Sequence, residues 1–281
     1  MPSLPLDLER LIFEMVALQC TNHDSKVQLT LVAKRIYEWY LYMRYRDDLA
    51  NSHRKCRIRP ILYRVAIAEE LSKEGLTIRN WRNAPVTDIA PFARHLLISS
   101  PLTDSISRTL ELLSTFHNVE NLAIWRNGSV GIQVLEKLQD LPLRRLSVGL
   151  KDTGLDEAVN HCSAFMNITH LEIIALPEGS ETYNDCKALV ELPKLTHLCF
   201  EPLVEVEDHV LLDLLVHCPS LRVMIYQPMY ECIETDDPRF LVLDDNPDVE
   251  EAIEEWEMSA NGGIGLWELA DMIIEARKGE V

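Results

Sequence analysis

The segments Ile168-Thr169-His170-Leu171-Glu172-Ile173 and Leu195-Thr196-His197-Leu198-Cys199-Phe200 share one pattern: an apolar residue, two variable residues, a leucine, one variable residue and a further apolar residue. The last apolar positions of successive segments are 26, 24, 25, 27 and 26 residues apart. This near-constant interval indicates that the chain is built from repeated structural units. Six segments fit the pattern, with apolar positions at Ala93/Leu96/Ile98, Val119/Leu122/Ile124, Leu143/Leu146/Val148, Ile168/Leu171/Ile173, Leu195/Leu198/Phe200 and Leu221/Met224/Tyr226.

Each repeated unit combines a strand with a helix. The alternation of apolar and variable residues predicts a short β-strand, and the last unit fits a second phase on Val223 and Ile225 equally well. Such units stack as parallel strands joined by right-handed crossovers, with the leucines between the strand and helix layers. Between the strands, apolar residues have the spacing of an α-helix, as in Ile106, Thr109, Leu110 and Leu113, or Val210, Leu211, Leu214 and Leu215.

The length of the unit lies in the range of leucine-rich repeats. We therefore predict an α/β fold in which residues 67–243 form an irregular leucine-rich-repeat β/α solenoid with parallel strands. The solenoid is irregular because the usual asparagine after the strand is present as Asn127 but replaced by Lys151 and Leu176. A doubly wound nucleotide-binding sheet is the alternative, but no predicted strand is followed by a glycine-rich phosphate loop. Gly262-Gly263-Ile264-Gly265 follows an acidic helical stretch, and we interpret it as a turn.

The sequence contains no pattern typical of an enzyme, since both Gly-x-Ser-x-Gly and His-Glu-x-x-His are absent. His95, His170 and His197 each precede the strand leucine of their unit, which predicts periodic surface or edge residues and no catalytic triad. His161-Cys162 and His217-Cys218 fall where a helix should end, so we interpret them as repeat geometry and not as zinc ligands. We expect no enzymatic activity, no metal and no cofactor.

The cysteines and the apolar segments predict an intracellular protein. The seven cysteines are scattered without a Cys-x-x-Cys pair, which is typical of reduced thiols in the cytoplasm or nucleus. Residues 1–7 show neither a basic leader nor a continuous apolar stretch, so secretion is not expected. The chain has no apolar run of about eighteen residues, and we therefore predict no membrane span.

The charge is unevenly distributed along the chain. Residues 1–95 hold 15 Lys/Arg and 11 Asp/Glu, a net charge of +4. Since the whole chain has a net charge of −18, residues 96–281 carry a net charge of −22. Such an acidic surface repels nucleic acids and anionic membranes and favours a basic partner. Residues 244–281 are predicted to be an acidic C-terminal cap whose amphipathic helix covers the last repeat. Its apolar stripe consists of Leu266, Leu269, Ala270, Ile273 and Ile274.

The first 66 residues are predicted to contain short amphipathic helices. Two or three such helices bury too little surface for robust stability, so they need the rest of the chain or a partner. The pattern leaves two roles open, a helical cap on the repeats or a docking segment. One helical stripe consists of Leu8, Leu11, Ile12, Met15 and Val16, and the next of Leu29, Val32, Ala33, Ile36 and Tyr40.

Three segments of this region resemble the F-box-like segment of a large family of proteins from mushroom-type fungi: Leu4-Pro5-Leu6-Asp7-Leu8-Glu9-Arg10-Leu11-Ile12-Phe13-Glu14, Leu31-Val32-Ala33-Lys34-Arg35-Ile36-Tyr37-Glu38-Trp39 and Pro60-Ile61-Leu62-Tyr63-Arg64-Val65. In that family the segment precedes irregular leucine-rich repeats. The resemblance implies docking onto the Skp-type adaptor of a cullin-based ubiquitin ligase. The apolar contacts that it implies are Leu4, Pro5, Leu8, Ile12, Phe13, Val32, Ile36 and Trp39.

Residues 40–59 separate the second and third of these segments, which nearly adjoin in the family. This insertion is either a solvated extension or a basic patch for phosphate groups, unless it is an artefact of the gene prediction, which comparing cDNA with genomic sequence would reveal. An insertion here would displace the third segment, so adaptor docking needs a direct test. The basic residues of the insertion are Arg44, Arg46, Arg54, Lys55, Arg57 and Arg59.

These features together predict a protein-interaction adaptor without catalytic activity. It has an F-box-like helical segment at 1–66, the solenoid at 67–243 and the acidic cap at 244–281. The resemblance implies the substrate-recognition subunit of a cullin-based ubiquitin ligase, which docks the adaptor by its N-terminal helices and a target protein by its repeat surface. The alternative is a free-standing leucine-rich-repeat scaffold that binds a basic protein without a ligase. The sequence does not identify the target.

Overall fold

The computed structural model describes residues 63–71, 75–79, 85–99, 106–125, 130–176, 186–202, 204, 206–227, 235–243 and 248–279. Within these ranges the chain is an α/β structure with nine strands and seven α-helices. The strands are β1 (Val65–Leu71), β2 (Gly75–Ile78), β3 (His95–Ser99), β4 (Asn121–Trp125), β5 (Arg145–Gly149), β6 (His170–Ala175), β7 (His197–Phe200), β8 (Val223–Tyr226) and β9 (Phe240–Val242). The helices are α1 (Val86–Ile89), α2 (Ile106–Thr115), α3 (Ile132–Leu138), α4 (Leu155–His161), α5 (Asp208–His217), α6 (Val249–Ala260) and α7 (Leu266–Gly279), and Ser163–Asn167 and Ala188–Glu191 are 3-10 helices.

All nine strands form one sheet in the order β2-β1-β3-β4-β5-β6-β7-β8-β9. Every pair from β1 and β3 through to β9 is parallel, and only β2 pairs antiparallel, with β1. A doubly wound sheet reverses its strand order at a switch point, whereas these eight parallel strands follow the chain without a reversal. The predicted parallel α/β arrangement is therefore confirmed as a solenoid-like stack.

A repeated hydrogen-bond step joins the units. The carbonyl of the residue before β1 and before each of β3–β7 accepts two backbone N–H groups from the start of the next unit, over distances of 2.8–3.2 Å. The series begins at Arg64, whose carbonyl accepts from Arg94 and His95, and continues to Thr196, whose carbonyl accepts from Arg222 and Val223. Six predicted strands thus become eight parallel ones, because β1 and β9 extend the same stack at its two ends.

The main core lies between the sheet and helices α1–α5. The strand leucines enter it from one side and apolar helix residues from the other, as in α5, where Val210, Leu211, Leu214 and Leu215 of the predicted stripe are all buried. In α2 the predicted stripe is confirmed at Thr109 and Leu113, whereas Ile106 is 41% exposed. Each large side chain buried in this way stabilises the fold by roughly 1.5–3 kcal/mol. A single unit cannot bury its apolar side chains alone, so this stabilisation requires the stack. The strand residues at the leucine position, all buried, are Leu96, Leu122, Leu146, Leu171, Leu198 and Met224.

Helices α6 and α7 lie on the opposite face of the sheet, which we call the second face. Ile253 of α6 packs against Ile67, Leu97 and Ala123 near one end of the sheet. At the other end, Ala270 and Ile274 of α7 pack against a group of strand residues, namely Cys199, Val223, Ile225 and Leu241. The expected cover on the last repeat is thus present, but the helix pair, here called the C-terminal hairpin, extends over much of the sheet.

The hairpin explains why the strand pattern of the last repeat unit could be placed either on Met224 and Tyr226 or on Val223 and Ile225. Met224 and Tyr226 enter the main core, whereas Val223 and Ile225 pack beneath α7, so β8 is buried on both faces. The glycine segment between α6 and α7 is a turn, as predicted. Gly262 adopts φ +89°, and a Cβ on Gly265 would lie 2.4 Å from the Cβ of Ser259. No helix among the described residues has the length and apolar character needed to cross a membrane.

Candidate functional site

A cavity of about 320 Å³ lies between the second face of the sheet and the C-terminal hairpin. Strands β4–β6 and β9, with the residues that directly follow β7 and β8, supply its floor, and α6 and α7 supply its roof. The lining is unusual for a protein interior, because it includes three tryptophans and three glutamates: Trp125, Trp256, Trp267, Glu172, Glu201 and Glu255. We call this space the hairpin cavity.

Strand register brings the floor residues together. On the second face, side chains one position beyond the core leucines form a row across the sheet, in which Ser147 pairs with Glu172 and Glu172 with Cys199. The two ends of this row are apolar and are covered by the hairpin. The polar centre of the row therefore falls under the middle of the hairpin, where the cavity lies.

Glu201 and Glu172 form a hydrogen-bonded carboxyl pair. Burial raises the pKa of Glu201 to about 9, and the negative charge of Glu172, the hydrogen bond to it and the charge of Glu255 act in the same direction. Glu201 is consequently protonated at neutral pH and donates a hydrogen bond to Glu172. Two carboxyl groups at such short range do not both ionise readily, because their negative charges repel each other.

The tryptophans approach the cavity from both layers. Trp125 of β4 donates from Nε1 to Oγ of Ser147 at 2.9 Å. Trp256 of α6 packs with the apolar cluster around Ile253, while Trp267 of α7 meets the rings of two histidines edge-on. Each of the three side chains is partly buried and contributes to the lining of the cavity.

The positive charge of Arg145 is paired with a glutamate of the hairpin. Arg145 of β5 donates to the Oε1 atom of Glu268 on α7 at 3.0 Å. Glu268 also accepts from Oγ of Ser259 at 3.0 Å and from the backbone N–H of Gly265 at 3.2 Å, so it ties the hairpin turn to the sheet. Among the lining residues in the described part of the chain, Arg145 is the single cationic side chain, and its charge is matched by Glu268.

The histidines expected at the surface are periodic but not exposed. His95, His170 and His197 occupy equivalent register positions on the second face, as their spacing predicted. The expectation of a surface position was wrong for His197, which α7 covers: it is 5% exposed, and its Nε2 lies 3.2 Å from Oδ1 of Asp271. His95 and His170 are half-buried. Sequence periodicity reports the register of a residue, but it does not show what a distant helix later covers.

Burial keeps these histidines neutral. The pKa of His170 is lowered to about 2 by burial, by His197 and by Arg145, and the pKa of His95 is lowered to about 3 by burial and by Arg64, Arg145 and Arg94. Arg64 donates from Nε to Nε2 of His95 at 3.0 Å, which requires that this nitrogen carry no proton. Neutral rings of this kind serve as packing and hydrogen-bonding groups.

Glu172, Cys199 and Glu201 bring three potential metal-ligand atoms within 4.8 Å of one another. A metal needs deprotonated ligands. Burial raises the pKa of the Cys199 thiol well above its usual range, and the pKa of Glu201 is about 9. At neutral pH a metal ion would bind here only by displacing the protons of Cys199 and Glu201.

The two His-Cys pairs are helix ends, as interpreted from the sequence. α4 ends at His161 and α5 at His217, and the N–H groups of Cys162 and Cys218 close the last turn at 3.0 and 2.9 Å. The two cysteines are buried. The equivalent geometry in two units shows that the repeat places these residues.

The residues for which adaptor contacts were predicted lie outside the described residues. These are Leu4, Pro5, Leu8, Ile12, Phe13, Val32, Ile36 and Trp39, and the insertion at 40–59 lies outside as well. A scan of the chain against protein-family models finds no match. A search of curated proteins likewise finds no matching relative.

The sequence held one signal for the hairpin cavity that the prediction missed. The position after each strand leucine was treated as variable, yet it is apolar at both ends of the row and polar in the middle, reading Leu97, Ala123, Ser147, Glu172, Cys199 and Ile225. Apolar residues on both faces of a strand indicate a sheet that is covered twice. The sequence pattern therefore indicates that the second face of the sheet is covered, but it does not show which segment of the chain covers it.

Proposed function

We propose that this protein recruits a target protein to a cullin-based ubiquitin ligase. In this proposal its F-box-like N-terminal segment docks a Skp-type adaptor, and its repeats, of the leucine-rich-repeat type, bind the target. The single observation that supports a recruiting role most directly is the row of eight parallel strands in chain order, because such stacks offer extended surfaces for protein binding. The adaptor half of the proposal rests on the resemblance of residues 4–39.

The target-binding surface in this proposal lies outside the second face. The C-terminal hairpin already packs on much of that face, so a partner meets the outer sides of the helices. Exposed apolar side chains are available there, including Leu212 and Val216 of α5, which are 44% and 74% exposed. The hairpin adds exposed acidic residues such as Glu251 and Glu254, which favour a basic target.

The proposed mechanism is proximity. Ubiquitin transfer takes place on the partner proteins, and this chain performs no catalysis itself. Holding the adaptor at one end and the target on the repeats converts their encounter into an intramolecular one with a high effective concentration. The proposed location is the cytoplasm or the nucleus.

A free-standing scaffold is the second candidate. The specific observation that favours it is the continuous sheet formed by the described residues from Tyr63 onward, with its own hairpin cover. Such a unit can bind a basic protein without an adaptor. The two candidates differ in whether residues 1–62 bind an adaptor protein.

A pull-down with the purified Skp-type adaptor separates the two candidates. Wild type is compared with Ile12→Asp plus Phe13→Asp, and with the matched control Leu212→Asp plus Val216→Asp, which adds the same charge at exposed positions of α5. We expect the adaptor to capture the wild type and the control. The N-terminal variant should not be captured, although its thermal unfolding midpoint should be unchanged. Failure to capture the wild type would overturn the ligase proposal and leave the scaffold.

A further inference from the structure

We infer that the hairpin cavity binds an organic cation, an alkylammonium or guanidinium group held between the tryptophans and the glutamates that line it. This binding site goes beyond the proposed recruiting function and does not depend on adaptor docking. The argument rests on the size of the cavity, on its aromatic lining and on its charge.

The size of the cavity suits a small organic group. Its volume is about 320 Å³, at the lower end of the roughly 300–1,000 Å³ of typical ligand pockets. One water molecule takes up about 30 Å³ in the liquid, so the space is far larger than a hydration site. A side chain or a small metabolite of comparable size fits these dimensions.

The aromatic lining suits a cation in particular. Trp125 projects from the sheet, and Trp256 and Trp267 from the two helices of the hairpin, so tryptophan surface borders the cavity from both layers. Tryptophan is the strongest of the aromatic side chains in cation–π attraction, and the attraction grows when the cation is desolvated. Each of the three tryptophans contributes to the lining, so a cation in the cavity meets aromatic side chains, the kind of surface that binds alkylammonium groups.

The charge of the lining is complementary to a cation. Glu172, Glu201 and Glu255 line the cavity, and the charge of Arg145 is already paired with Glu268 at 3.0 Å. The Cys199 thiol, fully buried, lies within 4.8 Å of the carboxyl oxygens of the floor and adds no positive charge. At neutral pH Glu201 is protonated and hydrogen-bonded to Glu172, so the negative charge of this lining lies on Glu172 and Glu255, and it favours a cation in the cavity.

Binding of the cation is coupled to loss of a proton from Glu201. The charges of Glu172 on β6 and Glu255 on α6 act on this carboxyl, and the neutral Cys199 thiol lies within 4.8 Å of it. Arg145 of β5 and the neutral Gln227 also line the cavity. The pKa of Glu201 is about 9 without a ligand, and a cation in the cavity lowers it because opposite charge favours the ionised form. The affinity for the cation should rise with pH up to about 9, with release of a proton on binding.

The test uses the full-length chain and simple probes. Methylguanidinium and butylammonium are titrated at constant ionic strength by isothermal calorimetry and by tryptophan fluorescence, in two buffers of different ionisation enthalpy. Methylurea, a neutral molecule of the same shape as methylguanidinium, is the ligand control. A peptide with a single arginine, blocked at both ends, distinguishes a cation carried by a partner protein from a free small molecule.

Two variants and a matched control locate the binding in the cavity. Glu201→Gln and Glu255→Gln each remove one carboxyl of the lining, whereas Glu254→Gln makes the same change on the exposed side of α6, outside the lining. We expect saturable binding that is at least about tenfold weaker in Glu201→Gln and Glu255→Gln, a factor that corresponds to 1.4 kcal/mol. Glu254→Gln should bind as wild type does. Glu201→Gln should also lose the pH dependence, which a purely structural effect would not remove.

The outcomes are distinct. Binding of the small cations, of the arginine peptide or of both supports the cation site and identifies the source of the ligand. The inference is overturned if neither kind of probe binds up to about 10 mM, if methylurea binds as well as methylguanidinium, or if the folded Glu201→Gln and Glu255→Gln variants bind as wild type does. Thermal unfolding and circular dichroism confirm that the variants remain folded.

Discussion

The imidazole rings of His170 and His197 are stacked, with their centroids 4.0 Å apart and their planes within 4° of parallel. The two residues are register partners on β6 and β7, and Trp267 of the hairpin meets both rings edge-on. Stacking at this distance is compatible with neutral rings, since two imidazolium ions would repel each other. The protonation of these histidines is therefore linked to how firmly the hairpin is held.

The contribution of His170 to the free energy of unfolding should fall as the pH drops below about 6.5. The pKa of His170 is about 2 in the folded chain, against a usual value of 6.5, so the unfolded chain binds the extra proton between these values. Between pH 7 and 5 this costs up to about 2 kcal/mol. Glu201 acts in the opposite direction, because its pKa of about 9 is raised from 4.5, so the histidine effect is read from a variant.

Urea unfolding of His170→Gln and of wild type, at several pH values from 7 to 5, isolates that effect. The variant should lose less unfolding free energy over this range, because glutamine cannot take up the proton. Parallel curves for the two proteins would show that His170 is not held neutral by the fold.

Ala270→Asp should detach α7 from the sheet. Ala270 is fully buried and packs in the same cluster as Cys199, Val223 and Ile225, so a carboxylate there would be desolvated without a partner. We expect a loss of about 3 kcal/mol or more. Cys199, which is fully buried and has a thiol pKa well above the usual range, should then react with maleimide.

Labelling is mapped by mass spectrometry of peptides, which separates Cys199 from the other cysteines. Met272→Asp is the matched control, since Met272 lies on the same helix but is 55% exposed. It should change stability by less than about 0.5 kcal/mol and leave Cys199 protected. Equal labelling in wild type and Ala270→Asp would contradict the packing of α7 on β7 and β8.

Glu268→Ala should weaken the attachment of the hairpin turn. The substitution removes the acceptor for Arg145, Ser259 and the Gly265 amide, and leaves Arg145 partly buried without its partner. We expect a loss of about 1–3 kcal/mol in urea unfolding. Glu275→Ala, which breaks the exposed ion pair with Lys278, should cost no more than about 1 kcal/mol. Similar losses in the two variants would exclude a special role for Glu268.

Phe165→Ala should test the repeat core. Phe165 is fully buried in the layer between strands and helices, while the adjacent Met166 is 40% exposed. Loss of the ring should reduce the free energy of unfolding by about 3–5 kcal/mol, against less than about 1 kcal/mol for Met166→Ala. A small effect at Phe165 would be incompatible with a shared core across the units.

Much of the stack could be predicted from local pattern. Strands β3 to β8, helices α2, α5 and α7, and the glycine turn all follow from the spacing of apolar residues and from the placement of glycine. The end strands were missed for a physical reason. β1 pairs with β2 and β3, and β9 pairs with β8, but the segments of β1 and β9 lack the full leucine pattern, so pairing in the folded stack determines them.

The hairpin cavity could not be derived in the same way. It depends on contacts between residues far apart in the chain, such as Arg145 with Glu268, His197 with Asp271, and Arg79 with Glu250. Neither member of these pairs carries a local signal of its partner. A carboxyl such as Glu201 looks like an ordinary acidic residue in sequence, and only the burial provided by the hairpin changes its chemistry.

The amino-acid sequence alone determined the repeating strand and helix units and the side of each strand that faces its own helix, because both depend on spacing over a few residues. Tertiary structure alone decided that the other side of the sheet is covered by the chain's own C-terminal helices, and that glutamates and tryptophans from different units border one cavity there. The physical reason is that docking of the hairpin is stabilised by the combined burial of several strands, which exists only after the units have stacked.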